Sequence, residues 1–168
     1  VYTVAGNRWL MNNGTLVPLD TNLTMGSSWS KQNMDYFNFS DFSKIKMKTN
    51  IYAEIVQGER FEVYMSANKR QAKQVHIEKE GDELVFSRIG KRNNVSIFWN
   101  SSLTNRPHFY ITVPNLDNLT VGKLAHVEMS DFSQEEMSIY LNGQGSADLE
   151  DVKFKTLRIE MHGQSDIY

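Results

Sequence analysis

An all-β fold built from stacked coils of roughly 20 residues, a β-solenoid or parallel β-helix-like array, is predicted by three observations. The first is an echo near the C-terminus. Residues 137–149 (MSIYLNGQGSADL) and 157–167 (LRIEMHGQSDI) align Ile139 with Ile159, Leu141 with Met161, Gly143 with Gly163 and Gln144 with Gln164, each 20 residues apart. A fixed period of this size is the signature of supersecondary units that bury their apolar faces only by stacking. The second is a weaker earlier copy, Leu119-Thr-Val121-Gly122, which adds Leu119/Ile139/Ile159, Val121/Leu141/Met161 and Gly122/Gly143/Gly163 as expected columns, with the glycine one residue early. Glycine suits a tight corner because it reaches positive φ without a Cβ clash. The third is apolar alternation in short segments throughout the centre of the chain, the period of a half-buried strand.

Taken in order, residues 1–40 lack periodicity. They are rich in Asn, Ser, Thr and Gly, with Trp9, Trp29 and the run Tyr36-Phe37-Asn38-Phe39. They read as an irregular N-terminal extension with one or two short strands, capping one end of the array. Residues 41–168 read as the β-solenoid domain. Ile45-Lys46-Met47, Ile51–Ile55, Phe61–Met65, Val75-His76-Ile77, Leu84–Phe86, Val95–Trp99 and Phe109–Val113 are strands, rich in β-branched and aromatic residues. Gln57-Gly58 and Glu80–Glu83 are turns, Pro114 ends a strand, and residues 68–74 carry a short helical turn. Ile139 and Leu141 point inward and Tyr140 outward. Met47, Met65, Met137 and Met161 fall on alternating positions and read as core filling.

At 168 residues the chain is long enough for a sizeable core without staples, and it contains no cysteine. Net charge is −2, which does not indicate nucleic-acid binding. Residues 41–100 carry eleven Lys/Arg against eight Asp/Glu, and residues 101–168 carry five against ten. Solvated strand faces account for this asymmetry. No run of 18 apolar residues occurs, so no transmembrane segment is expected. The chain starts at Val1, which fits a processed or trimmed product with no leader in view. Asn-X-Ser/Thr triplets at Asn13, Asn22, Asn38, Asn94, Asn100 and Asn118 are what an Asn-rich chain produces by chance.

The order of several weak motifs then becomes informative. Phe42-Ser-Lys-Ile45-Lys-Met47, Ala53-Glu-Ile55-Val-Gln57-Gly58, Phe61-Glu-Val63-Tyr-Met65-Ser-Ala67 and Glu83-Leu84-Val-Phe86 are followed by Val113-Pro114-Asn115-Leu116 and the glycine-bearing coils. Over residues 41–168 this order resembles the bacterial envelope family described as "Putative auto-transporter adhesin, head GIN domain". The resemblance implies a β-solenoid of stacked coils, an extracytoplasmic location (periplasm, outer-membrane lipoprotein or cell surface), and no catalytic residues to carry over. The chain departs from the family in having fewer coils after Leu119 and in ending at Tyr168, which reads as a shortened array and a cut C-terminus.

Chemistry-bearing residues are sparse. The expected stacking places His126, Asp148 and Asp166, each before an apolar residue, in one outward column. Two aspartates one strand apart suit Ca²⁺ or a carboxylate pair, while a polar ladder on a wet face is the plainer reading. No cofactor and no metal are expected. Trp99 and Tyr110 stand beside Phe98 and Phe109 and break the alternation, which means burial on both faces or an exposed aromatic patch for sugars. His76, His108 and His162 lack ligand spacing, and neither a phosphate loop nor a Gly-x-Ser-x-Gly elbow occurs. Lys69, Arg70 and Lys73, and Arg88, Lys91 and Arg92, form small basic clusters read as solvated turns rather than anionic-glycan or lipid contacts.

The function expected is a non-catalytic envelope or secreted binding domain. It meets a surface glycan or protein through flat solenoid faces and self-associates through its ends or edges. The alternatives are a polysaccharide-active parallel β-helix enzyme, for which Arg158 beside Asp166 and Glu160 is thin support, and a lipid-binding or structural envelope module.

Overall fold

The computed structural model describes the strand segments Tyr2–Val4, Asn7–Asn12 and Thr15–Pro18, and residues 34–89 and 106–168. The first three segments, β1, β2 and β3, form an antiparallel sheet of their own. The remaining strands are β4 (Met34–Phe37), β5 (Lys44–Met47), β6 (Tyr52–Gln57), β7 (Glu62–Ser66), β8 (Val75–Glu80), β9 (Glu83–Arg88), β10 (His108–Val113), β11 (Asn118–Val121), β12 (His126–Ser130), β13 (Ser133–Gly143), β14 (Ser146–Glu150), β15 (Lys153–Gly163) and β16 (Asp166–Ile167). They make two open sheets, ordered β16-β14-β12-β6-β10-β7-β4 and β15-β13-β11-β5-β9-β8.

The fold is all-β, as the alternation predicts, and both large sheets are mixed rather than wholly parallel. Parallel pairing joins β9, β5, β11, β13 and β15 in one sheet, and β10, β6, β12, β14 and β16 in the other. Antiparallel β8 closes the first sheet, and antiparallel β7 followed by β4 closes the second. The described part of the N-terminal 40 residues holds four strands where one or two are expected, and β4 belongs to the seven-stranded sheet. Residues Val95–Trp99, expected as a strand, lie outside the described residues.

Ile139 faces Leu119 on one side and Ile159 on the other, and the row continues through Ile45 to Leu84. The neighbouring row runs Phe86, Met47, Val121, Leu141, Met161. These side chains meet the inward residues of the seven-stranded sheet, with Phe86 and Phe109 ring to ring at 4.8 Å. Each fully buried member contributes roughly 1.5–3 kcal/mol before chain entropy is counted. The exceptions are Ile159 and Met161, 40% and 43% exposed because β15 is the last strand of its sheet. Met161 is therefore not the core residue its spacing predicts.

The corners explain the periodic glycines and correct one of them. Gly143 and Gly163 pair with each other and have φ of 72° and 96°. The third member is Lys123 (φ 55°), not Gly122. The same backbone bond recurs one rung on: Gln144 N–H donates to the Lys123 carbonyl, and Gln164 N–H to the Gly143 carbonyl. At the opposite corner Asp131 and Asp151, also 20 apart, take φ of 60° and 51°, and Asp41 has 58°. Asp tolerates the left-handed region better than most side chains. The helical turn expected at residues 68–74 is α1 (Lys69–Ala72), capped by Asn68 in a reciprocal box with Gln71.

Candidate functional site: the outward face of the seven-stranded sheet

Successive side chains of a strand alternate between faces, so ladder register dictates which residues share the outer surface. One outward row runs Met34, Ser66, His108, Tyr52, His126, Ser146, Asp166. The next runs Tyr36, Tyr64, Tyr110, Glu54, Glu128, Asp148. Three tyrosines thus give way to three carboxylates along one row, with two histidines and a tyrosine beside them.

The expected column of His126, Asp148 and Asp166 is resolved differently. His126 and Asp166 share a row with Ser146 between them, while Asp148 stands in the adjacent row opposite Glu128. The step along this sheet is 20 residues, so His126 aligns with 146 and 166, and 128 aligns with 148. Asp148 still reaches His126, because the diagonal neighbour on a sheet is within side-chain range. Asp148 Oδ2 lies 3.4 Å from His126 Nε2, and Glu128 Oε1 lies 3.9 Å from the same nitrogen. Asp166, two strands from His126, does not join them.

The imidazole is held from several directions. His126 Nδ1 is 2.6 Å from Ser146 Oγ, and the ring stacks on Tyr52 at 5.3 Å. Burial holds its pKa below the ordinary histidine value, against the opposing pull of Asp148 and Glu128; Arg106 adds to the lowering. Tyr52 is an anchor for the whole cluster. Its ring meets His108 edge-on at 4.2 Å and lies under the Arg106 guanidinium at 5.7 Å. Burial, then the Glu128 carboxylate at its hydroxyl and the charges of Glu54 and Asp148, push its phenol far upward, so it stays protonated. Arg106 itself donates to the Leu124 carbonyl at 2.9 Å, which ties the segment before β10 to the corner after β11.

Tyr110 is buried, 6% exposed, with its ring stacked on His108 at 4.4 Å. It packs rather than meeting solvent. Trp99 lies outside the described residues, as do Lys91 and Arg92. Arg158 pairs with Glu160 at 2.7 Å on the other sheet, in β15, and does not join His126 or Asp166. Glu128, Ser146, Tyr52 and Glu54 are not singled out from the sequence, and His108 is there set aside for want of ligand spacing. Strand alternation carries the signal for the first, since Glu128 follows His126 by two residues. An open depression of about 410 Å³, lined by Ser133, Gln134, Glu135, Lys153, Phe154 and Lys155, lies on the other sheet. No helix among the described residues is long and apolar enough to cross a membrane.

Two open, mixed sheets packed on one apolar core, one of them with a polar-aromatic outer face, define an all-β domain. The chain belongs to the family described as "Putative auto-transporter adhesin, head GIN domain", whose model matches residues 41–168. It is similar in fold to a crystal structure called a putative adhesin from Bacteroides fragilis, at 16% identity and TM-score 0.64, covering 80% of this chain and 60% of that one. A putative adhesin from Parabacteroides distasonis shows 15% identity and TM-score 0.64, covering 80% and 54%. A protein from the same species, called a putative lipid binding protein, shows 13% identity and TM-score 0.56, covering 76% and 61%. The chain thus spans little more than half the length of these structures. No curated protein matches it.

Proposed function

We propose that this chain is a non-catalytic binding domain of the bacterial envelope or cell surface. Its rungs form a β-solenoid, and it meets a surface glycan or protein through the open part of the seven-stranded sheet's outer face. The observation that carries this reading is the pair of rows ending in His126, Ser146, Asp166 and Glu128, Asp148. They set hydrogen-bonding groups at strand spacing on a surface that remains in contact with solvent, as glycan recognition requires. The family and the names of the similar structures support it. The Ser146 hydroxyl stands 2.6 Å from His126 Nδ1, but on an open strand face rather than in a closed cavity, which favours contact over turnover. The family's adhesin description supports a location outside the cytoplasm.

A glycan-array screen with the wild type and with Asp166→Ala and Ser146→Ala tests it. Retention of specific glycans by the wild type, weakened in both variants, is the expected result. Turnover of a polysaccharide, or glycan binding untouched by either change, would reverse the reading. The exposed Ile159 and Met161 on β15 favour the accompanying proposal that copies associate through this last strand.

A further inference from the structure

The atoms that converge at His126 have a chemistry that adhesion does not use. His126 Nε2, one Glu128 oxygen and one Asp148 oxygen all lie within 4.8 Å of one another. The two separations from the nitrogen, 3.4 and 3.9 Å, approach the edge of a tetrahedron with metal–ligand bonds of about 2.0–2.2 Å, which is roughly 3.3–3.6 Å. His126 Nδ1 is engaged by Ser146 Oγ at 2.6 Å, the outer contact that orients a ligating imidazole and leaves Nε2 turned to the carboxylates. The ring is further held by Tyr52, so the nitrogen is placed before anything binds. The other Asp148 oxygen, Oδ1, is shut from solvent and hydrogen-bonds to nothing among the described residues, although the side chain as a whole is 41% exposed. A cation held at Oδ2 would offset the cost of leaving that second oxygen without a donor.

We propose that His126, Glu128 and Asp148 hold one divalent transition-metal ion of the zinc class, with its remaining position open to solvent or to a ligand atom. The donor set decides the class. One imidazole and two carboxylates suit zinc and its neighbours, whereas Ca²⁺ wants six to eight oxygens that this face does not offer. The site displaces the sequence expectation of no metal, and it stands whether or not the domain is an adhesin. Tyr52, Ser146 and Arg106 surround the ligands without being ligands.

Tag-free protein treated with a chelator and titrated with Co²⁺ tests it. The expected result is one equivalent of Co²⁺ giving the visible bands of four- or five-coordinate cobalt, displaced by Zn²⁺, with a rise in Tm on Zn²⁺ addition. His126→Gln and Asp148→Asn are each expected to weaken binding roughly tenfold or more, while His76→Gln and His162→Gln leave it unchanged. Glu128→Gln, a change at a half-exposed carboxylate, serves where the histidine variant unfolds. Absence of the cobalt bands, heat with Ca²⁺ alone, or bands that persist in Asp148→Asn and Glu128→Gln would overturn the proposal.

Discussion

Glu54 Oε1 and His108 Nε2 lie 3.0 Å apart across the parallel pair β6 and β10, on the outer face of the seven-stranded sheet. Glu54 is 8% exposed and sits between Tyr110 and Glu128 in its row. Burial is the larger influence on its carboxyl and pushes its pKa up; the His108 contact opposes this, and Glu128 adds to the rise. A folded-state pKa above the unfolded one means the folded chain holds the proton more tightly. The stability Glu54 contributes is greatest at acid pH and is lost as pH rises from the ordinary carboxyl value through the raised one. Glu54→Gln, which keeps a hydrogen-bonding side chain, is expected to flatten the fall in Tm with rising pH over that window. A pH series of thermal melts on both proteins checks it, and an unchanged slope would refute it.

Ile139 and Ile159 occupy equivalent positions in adjacent strands, yet only the first is enclosed. Ile139→Ala is expected to cost about 2–5 kcal/mol, in the range of buried large-to-small changes. Ile159→Ala, at a site 40% exposed, is expected to cost under about half as much. Denaturant unfolding of the two variants gives the comparison directly. Equal losses would show that β15 is covered in solution.

The corner residues respond in opposite directions. A Cβ on Gly163 would lie 2.7 Å from the Gly143 carbonyl oxygen, at a φ of 96°. Gly163→Ala is therefore expected to destabilise by about 1–3 kcal/mol. Lys123 already bears a side chain in the left-handed region, and Lys123→Gly is expected to gain roughly 0.5–1 kcal/mol once the flexibility of glycine in the unfolded chain is subtracted. Midpoints of urea unfolding decide both signs.

Ile159→Lys and Met161→Lys, made together, place two charges on the open apolar strip of the final strand. If copies associate through that strand, the double variant sediments as a smaller species than the wild type at the same concentration. Identical sedimentation would remove β15 from the interface.

How far the sequence could be read depends on the distance over which a signal acts. The 20-residue step is local, so Leu119, Ile139 and Ile159 were found in one row from spacing alone. Ile45 and Leu84 complete that row but arrive from 74 and 35 residues before Leu119, in an order no periodicity encodes. The repeated tetrapeptide Ser40-Asp41-Phe42-Ser43 and Ser130-Asp131-Phe132-Ser133 marked equivalent corners and was overlooked. Lys123 was hidden because a lysine does not look like a turn residue, and the nearby Gly122 drew the register off by one. The candidate site was half visible. His126 and Asp148 were singled out, but Glu128 and Tyr52 required knowing which strands lie side by side.

The order β9, β5, β11 within one sheet has a kinetic meaning. Of these three strands β5 is made first and ends in the middle, with β9 and β11 joining its two flanks as later segments arrive. Pairing on the β9 flank joins residues 39 apart, Ile45 with Leu84, whereas docking β11 on the opposite flank joins residues 74 apart, Ile45 with Leu119, and is the slow, long-separation step. Beyond β11 that flank extends by simple 20-residue addition. Shortening the chain from its C-terminus therefore removes edge strands from the two sheets one step at a time and leaves the centre enclosed, whereas cutting between β7 and β9 uncouples β5 from one of its neighbours.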